Sequence, residues 1–135
     1  MSTLKVTNIQ NSSGGSTSTA DEIYNGRAKA WVNFDGTFGT SPFTIANGGI
    51  RAAFNVSSVT DLGVGNYTVT FSNALPDTNY AAVITSYYTD VSGQAGYITF
   101  EDGRLTARTS GSFTLATATP SAYNDSAITS VVIFR

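Results

Sequence analysis

The sequence contains neither histidine nor cysteine. Without histidine the chain has no Ser-His-Asp triad, no imidazole metal ligand and no histidine proton shuttle. Without cysteine it has no disulfide, no thiol chemistry, no zinc ribbon and no iron–sulfur cluster. Charge is sparse: Asp, Glu, Lys and Arg make up 12% of the residues, about half the usual share. Seven basic residues against nine acidic ones give a net charge of −2, which offers no electrostatic footprint for nucleic acid. No apolar run approaches the roughly 18 residues of a membrane span. The opening M-S-T-L-K-V-T-N-I-Q has no apolar core or small-residue cleavage site, so no secretory leader is expected.

Uncharged polar residues fill the gap, with 20 Thr, 16 Ser, 13 Gly and 10 Asn. A Thr-rich, Lys- and Glu-poor chain disfavours helix and suits strands joined by tight turns. At 135 residues the chain is one domain's worth and long enough for a real core.

The first strand signal is short, with Leu4 and Val6 on one parity and Ile9 breaking it. Residues 11–20 read as a Gly/Ser/Thr linker. Thr19, with Glu22 three positions on, fits a capping box for one helical turn through Asn25. From Arg27 the pattern tightens. Ala28, Ala30, Val32 and Phe34 share one face, and Lys29, Trp31 and Asn33 the other. A long loop follows at 36–49. Ile50, Ala52, Phe54 and Val56 form the next inward face, and 61–66 reads as a turn. Tyr67, Val69 and Phe71 alternate inward with Thr68 and Thr70 outward. Residues 81–88 carry apolar side chains on both faces, which suits a central strand or a subunit contact. Strands are expected at 95–100, 105–109, 112–117 and 127–135, with Asp102-Gly103 as a hairpin turn. The spacing predicts an all-β sandwich, jelly-roll or Greek-key-like, over 27–135. A strand, linker and helical turn precede it over 1–26.

The chemistry on offer is thin. Carboxylates in predicted turns are explained by local hydrogen bonds, and adjacent Glu101 and Asp102 face opposite ways on a continuing strand. A glycosidase would need two facing carboxylates. No calcium loop or phosphate loop is present, and the Gly-rich pieces read as turns. No enzyme, no metal and no cofactor are therefore expected. The polar loops 87–95 and 118–126 hold Tyr87, Tyr88, Asp90, Tyr123, Asn124 and Asp125. Such rings and polar groups can stack on and hydrogen-bond a sugar, or the rings can finish the edge of the core. Trp31, outward on its strand, implies that this face is also covered, in keeping with a neighbouring copy.

The segments R-A-K-A-W-V-N-F-D-G-T (27–37) and I-R-A-A-F-N-V-S-S-V-T-D-L-G-V-G-N-Y-T-V-T-F-S-N-A-L-P-D-T-N-Y (50–80) resemble the carboxy-terminal domain of tail fibre proteins of tailed bacteriophages. The likeness is to marine and cyanobacterial phages (cyanophages) above all. The opening L-K-V-T-N-I-Q-N-S-S-G-G and closing S-V-V-I-F-R are similar to that family's ends. Many such fibres carry a long repetitive shaft, whereas residues 1–26 precede the domain here, which points to a short fibre. The resemblance implies a homotrimeric virion protein made in the host cytoplasm. Residues 1–26 would attach it to a tail or baseplate protein, and residues 27–135 would bind host-surface polysaccharide. Leu4, Val6, Ile9 and Trp31 are the candidates for attachment and trimer burial. The alternatives are a capsid-decorating or head/neck fibre protein, or a non-catalytic carbohydrate-binding module. No nucleic acid partner and no membrane insertion are expected.

Overall fold

A computed structural model describes residues 2–3, 5–87, 98–104 and 107–135. Candidate residues Leu4, Tyr88 and Asp90, and most of loop 87–95, lie outside the described residues. The elements in chain order are β1 (Asn8–Gln10), β2 (Thr17–Thr19), α1 (Ala20–Gly26), β3 (Ala28–Phe34), β4 (Ile50–Phe54), β5 (Val56–Gly63), β6 (Asn66–Phe71), β7 (Ala81–Ser86), β8 (Ile98–Glu101), β9 (Ser112–Ala118) and β10 (Thr129–Phe134).

The domain is the expected all-β sandwich. One antiparallel sheet runs β4-β3-β10-β7 and the other β5-β6-β9-β8. Alternation puts Ala30, Val32, Phe34, Val131 and Ile133 of the first sheet against Val59, Tyr67, Val69, Phe113 and Leu115 of the second, all buried. Phe34 meets Tyr67 edge-on at 5.1 Å between ring centroids. From the long 36–49 loop, Phe43 enters the same core and bridges to Val59.

Several local expectations need correction. Residues 11–20 are not a plain linker. They close a β1–β2 hairpin, in which the Asn11 side chain accepts from Ser13 and Gly15. The Thr19–Glu22 capping box is present and starts α1. Ile50 is buried as expected, but Ala52 and Phe54 face outward. A register irregularity beside Phe34 inverts the alternation of β4, and Asn55, with φ 54°, breaks the chain before Val56 turns back in. Residues 61–63, read as turn, extend β5. Strand β7 is an edge of its sheet and not a central strand. Ala107–Thr109 are not in a strand.

The two sheets leave different outer faces. On the first, Phe54 pairs with Trp31, Trp31 with Val132, and Val132 with Val83, one apolar row across all four strands. Phe54, Trp31 and Val83 are 53%, 38% and 52% exposed. The hairpin and α1 are equally open: α1 buries no residue, and Val6, Ile9, Ile23 and Tyr24 are exposed.

Candidate functional site

The outer face of the second sheet is where loop 119–125 folds back. Tyr67 and Leu115 point inward, so Asn66, Thr114 and Ala116 point outward. Ala116 pairs with Asn66 on one side and Phe100 on the other, which aligns Asn66, Ala116 and Phe100 in one row. Ala116 is nevertheless fully buried, and residue Tyr123 bridges back to Ala118.

The loop is held by main-chain and short side-chain hydrogen bonds, within itself and to β9. The Thr119 amide donates to the Ala122 carbonyl at 2.8 Å, and Asn124 Nδ2 donates to the same oxygen at 2.9 Å. The Thr117 hydroxyl donates to the Asn124 carbonyl at 2.5 Å. Asp125 Oδ1 accepts the Tyr67 hydroxyl at 2.6 Å and the Gly65 amide at 2.7 Å. Burial, reinforced by that carboxylate, pushes the Tyr67 phenol far above its ordinary value. Asn124 and Asp125 thus fasten the loop that presents Tyr123.

Tyr123 stands over the row. Its ring lies 6.3 Å from the Phe100 ring, and the Arg104 guanidinium carbon is 5.6 Å from its centroid. Together with Asn66, Asp102 and Arg104 it lines a cavity of about 300 Å³. Asp102 is the turn residue after β8, and its side chain is only 2% exposed. Its Oδ1 accepts Arg104 Nε at 2.8 Å and its Oδ2 accepts Nη2 at 2.6 Å. The paired guanidinium holds the Asp102 carboxyl below the usual carboxylate range. Asn66 donates from Nδ2 to the Val64 carbonyl at 3.0 Å. Among the described residues its Oδ1 is a buried side-chain acceptor with no hydrogen-bond partner.

The exposed lining is mainly apolar: the Tyr123 ring offers a stacking face, Arg104, 69% exposed, is the accessible polar side chain, and the Asp102 carboxylate is buried in its ion pair. Asp102 is engaged in a bidentate pair, as are Glu101 with Arg108 and Asp77 with Arg135. Among the described residues no group of three or more Asp or Glu side chains could hold a metal. No helix among them is long and apolar enough to cross a membrane.

Of the sequence candidates, Tyr123 lines the cavity, and Asn124 and Asp125 support it from below. Tyr87 is exposed and is not among the cavity-lining residues; its amide donates to the Ile128 carbonyl and its carbonyl accepts the Ser126 hydroxyl. Sequence reading passed over Asn66, Asp102, Arg104 and Phe100. Asn66 and Phe100 are joined through Ala116 of β9, and the Asp102 amide donates to the Thr114 carbonyl of the same strand. Comparison of the chain with family models, curated proteins and solved structures found no match in any of the three.

Proposed function

We propose that this protein is a virion structural protein, a short homotrimeric phage tail fibre that presents its sandwich to a host-surface glycan and carries out no catalysis on it. The observation that carries the binding role is the cavity of Asn66, Asp102, Arg104 and Tyr123. It sets the Tyr123 ring, a face on which a sugar can stack, beside the exposed Arg104 guanidinium, which can donate to sugar hydroxyls. The fibre context rests on the resemblance of 27–37 and 50–80 to tail fibre domains.

Trimer formation draws support from the apolar row Phe54, Trp31, Val132 and Val83, which faces away from the cavity side. The exposed apolar residues of the hairpin and α1 suit a segment that completes its burial against other copies or a tail or baseplate protein. Weak contacts at each of three sites would multiply through avidity.

The test is adsorption of the fluorescently labelled chain to cells of the host of the phage that encodes it. Wild type should bind, and Tyr123→Ala should lose at least tenfold in retained signal with unchanged circular dichroism. Equal binding by the folded variant would refute the site. Immunogold label on the capsid instead of the tail would favour the decorating-protein alternative.

A further inference from the structure

Four pairs of an Asn or Asp followed by Gly occur in the chain: Asn25-Gly26, Asp35-Gly36, Asn47-Gly48 and Asp102-Gly103. In such a pair no Cβ screens the glycine nitrogen from the carbonyl carbon of the preceding side chain, so a five-membered ring can close between them. Closure needs a side chain able to rotate onto that nitrogen and a nitrogen that can give up its proton.

Three of the pairs are held. Asp35 Oδ1 accepts the Thr37 amide at 2.9 Å and hydroxyl at 2.6 Å, its Oδ2 accepts Arg51, and the Gly36 amide donates to the Ser126 carbonyl at 2.8 Å. Asp102 is locked in its bidentate pair with Arg104. Asn47 has its whole carboxamide engaged. Its Oδ1 accepts the Thr44 amide at 2.9 Å and the Gly49 amide at 3.1 Å, and its Nδ2 donates to the Pro42 carbonyl at 2.8 Å. The Gly48 amide in turn donates to the Ile45 carbonyl at 3.3 Å.

Asn25-Gly26 differs. Asn25 and Asn47 are both exposed, so exposure does not separate them. Bonding does: among the described residues no hydrogen bond holds the Asn25 side chain. Nothing outside its own stretch of helix comes within 4 Å of where a Gly26 Cβ would stand. The pair forms the last turn of α1, which has seven residues and buries none of them. A helix this short is not stable by itself, so its end opens at little cost.

We infer that Asn25 is a site of spontaneous deamidation, with water as the only other reactant. The Gly26 nitrogen attacks Asn25 Cγ. The N–Cγ bond forms, the Cγ–Nδ2 bond breaks, and Nδ2 leaves as ammonia, taking up the proton that the Gly26 nitrogen gives up. Water then opens the resulting succinimide at either carbonyl, giving aspartate or isoaspartate, with no change of oxidation state. Lys29 Nζ and the Arg27 guanidinium carbon lie 3.6 Å and 5.8 Å from the centroid of the neighbouring Tyr24 ring, and their charge favours the deprotonated nitrogen. Either product sets a negative charge beside those two cations. Isoaspartate also lengthens the main chain by a methylene where the amino-terminal arm joins β3. Asn25 stands about 200° around the helix from Ile23, so covering Ile23 in an assembly leaves Asn25 in water.

The experiment incubates the full-length chain in mildly alkaline buffer, folded and in urea, and follows each asparagine by peptide mass spectrometry. In the folded chain Asn25 should convert at least about tenfold faster than Asn47, and in urea the two should convert at similar rates. Anion exchange should resolve an acidic form that elutes near Asn25→Asp. Gly26→Ala, whose methyl group meets open space, should slow conversion at Asn25 and leave Asn47 unchanged. Equal rates at Asn25 and Asn47 in the folded chain overturn the inference. So does a folded chain in which neither reacts while both react in urea, since α1 then protects Asn25. Conversion at Asn25 that Gly26→Ala does not slow overturns the assigned nucleophile.

Discussion

Gly65 sits under the candidate site and has no room for a side chain. Its φ is +69°, and a Cβ there would lie 2.3 Å from the Thr117 carbonyl oxygen and 2.8 Å from the Asn124 amide. Its own amide donates to Asp125, and its carbonyl accepts the Thr117 amide at 2.7 Å. Gly65→Ala therefore meets a left-handed backbone cost of about 1–2 kcal/mol and a backbone clash that must displace loop 119–125. The expected outcome is a fall in melting temperature on the order of 10 °C, accompanied by weakened glycan binding because Tyr123 moves. Gly63, also left-handed at φ +121° but with open space around it, is the control: Gly63→Ala should cost stability without disturbing binding. Equal melting of Gly65→Ala and wild type would show that the loop does not depend on this close approach.

At the scale of elements, charge ties the carboxy end of β10 to the loop before β7. Asp77 accepts Arg135 Nε at 2.8 Å and Nη2 at 2.5 Å, and also accepts the Asn79 amide at 2.8 Å. The Arg135 hydrogen bonds, helped by Asn79, lower the Asp77 carboxyl from 3.8 to about 2. A carboxyl depressed in the folded state stabilises fully above its unfolded value and loses that contribution as pH falls through its folded value. Melting temperature should therefore drop between about pH 4 and about pH 2, and less so in Asp77→Asn than in wild type. Both partners are solvent-accessible, so the difference should be small and should shrink in high salt. Parallel acid curves for the two proteins would remove this pair from the acid response.

The same scale explains what sequence reading reaches and where it stops. Period-two alternation located β3, β6 and β9 because each keeps one unbroken inward parity against the core, and β10 was expected as the closing strand. It misassigned Phe54 because the irregularity beside Phe34 inverts the facing of β4, and such a break leaves no mark in hydrophobic pattern. Tyr123 was legible as an amphipathic ring in a polar loop. Its partners were not: Asn66 and Phe100 become neighbours only through their shared pairing with Ala116. Asp102 looked like an ordinary turn residue, and it does cap its own turn by accepting the Arg104 amide at 3.0 Å. The ion pair with the Arg104 side chain adds to that role.

At the scale of the molecule, the two outer faces divide the proposed labour. The second sheet's outer face carries the cavity beside Tyr123, and the first sheet's carries Phe54, Trp31, Val132 and Val83 in one row. The next row on that face, Ala52, Asn33, Ser130 and Thr85, is small and polar, with Asn33 donating to Ser130 at 2.8 Å. An apolar band flanked on one side by short polar side chains lets another copy approach closely there, and no charged residue stands in either row. Rotational symmetry would bring three such bands to one axis and keep the Tyr123 cavity outermost. Each large side chain fully buried there contributes roughly 1.5–3 kcal/mol, scaled down because these are already half covered. Light scattering on a sizing column should give about 42 kDa, three times the chain's 14.1 kDa. Trp31→Lys combined with Val83→Lys should lower the mass to that of one chain, since buried ammonium groups find no counter-charge in either row. Circular dichroism should stay sandwich-like, because both side chains point away from the core. A mutant that remains trimeric would move the interface to the hairpin and α1, where Ile9, Ile23 and Tyr24 are the exposed apolar residues. A wild-type monomer would remove the trimer and leave a single-copy sugar-binding module as the better reading.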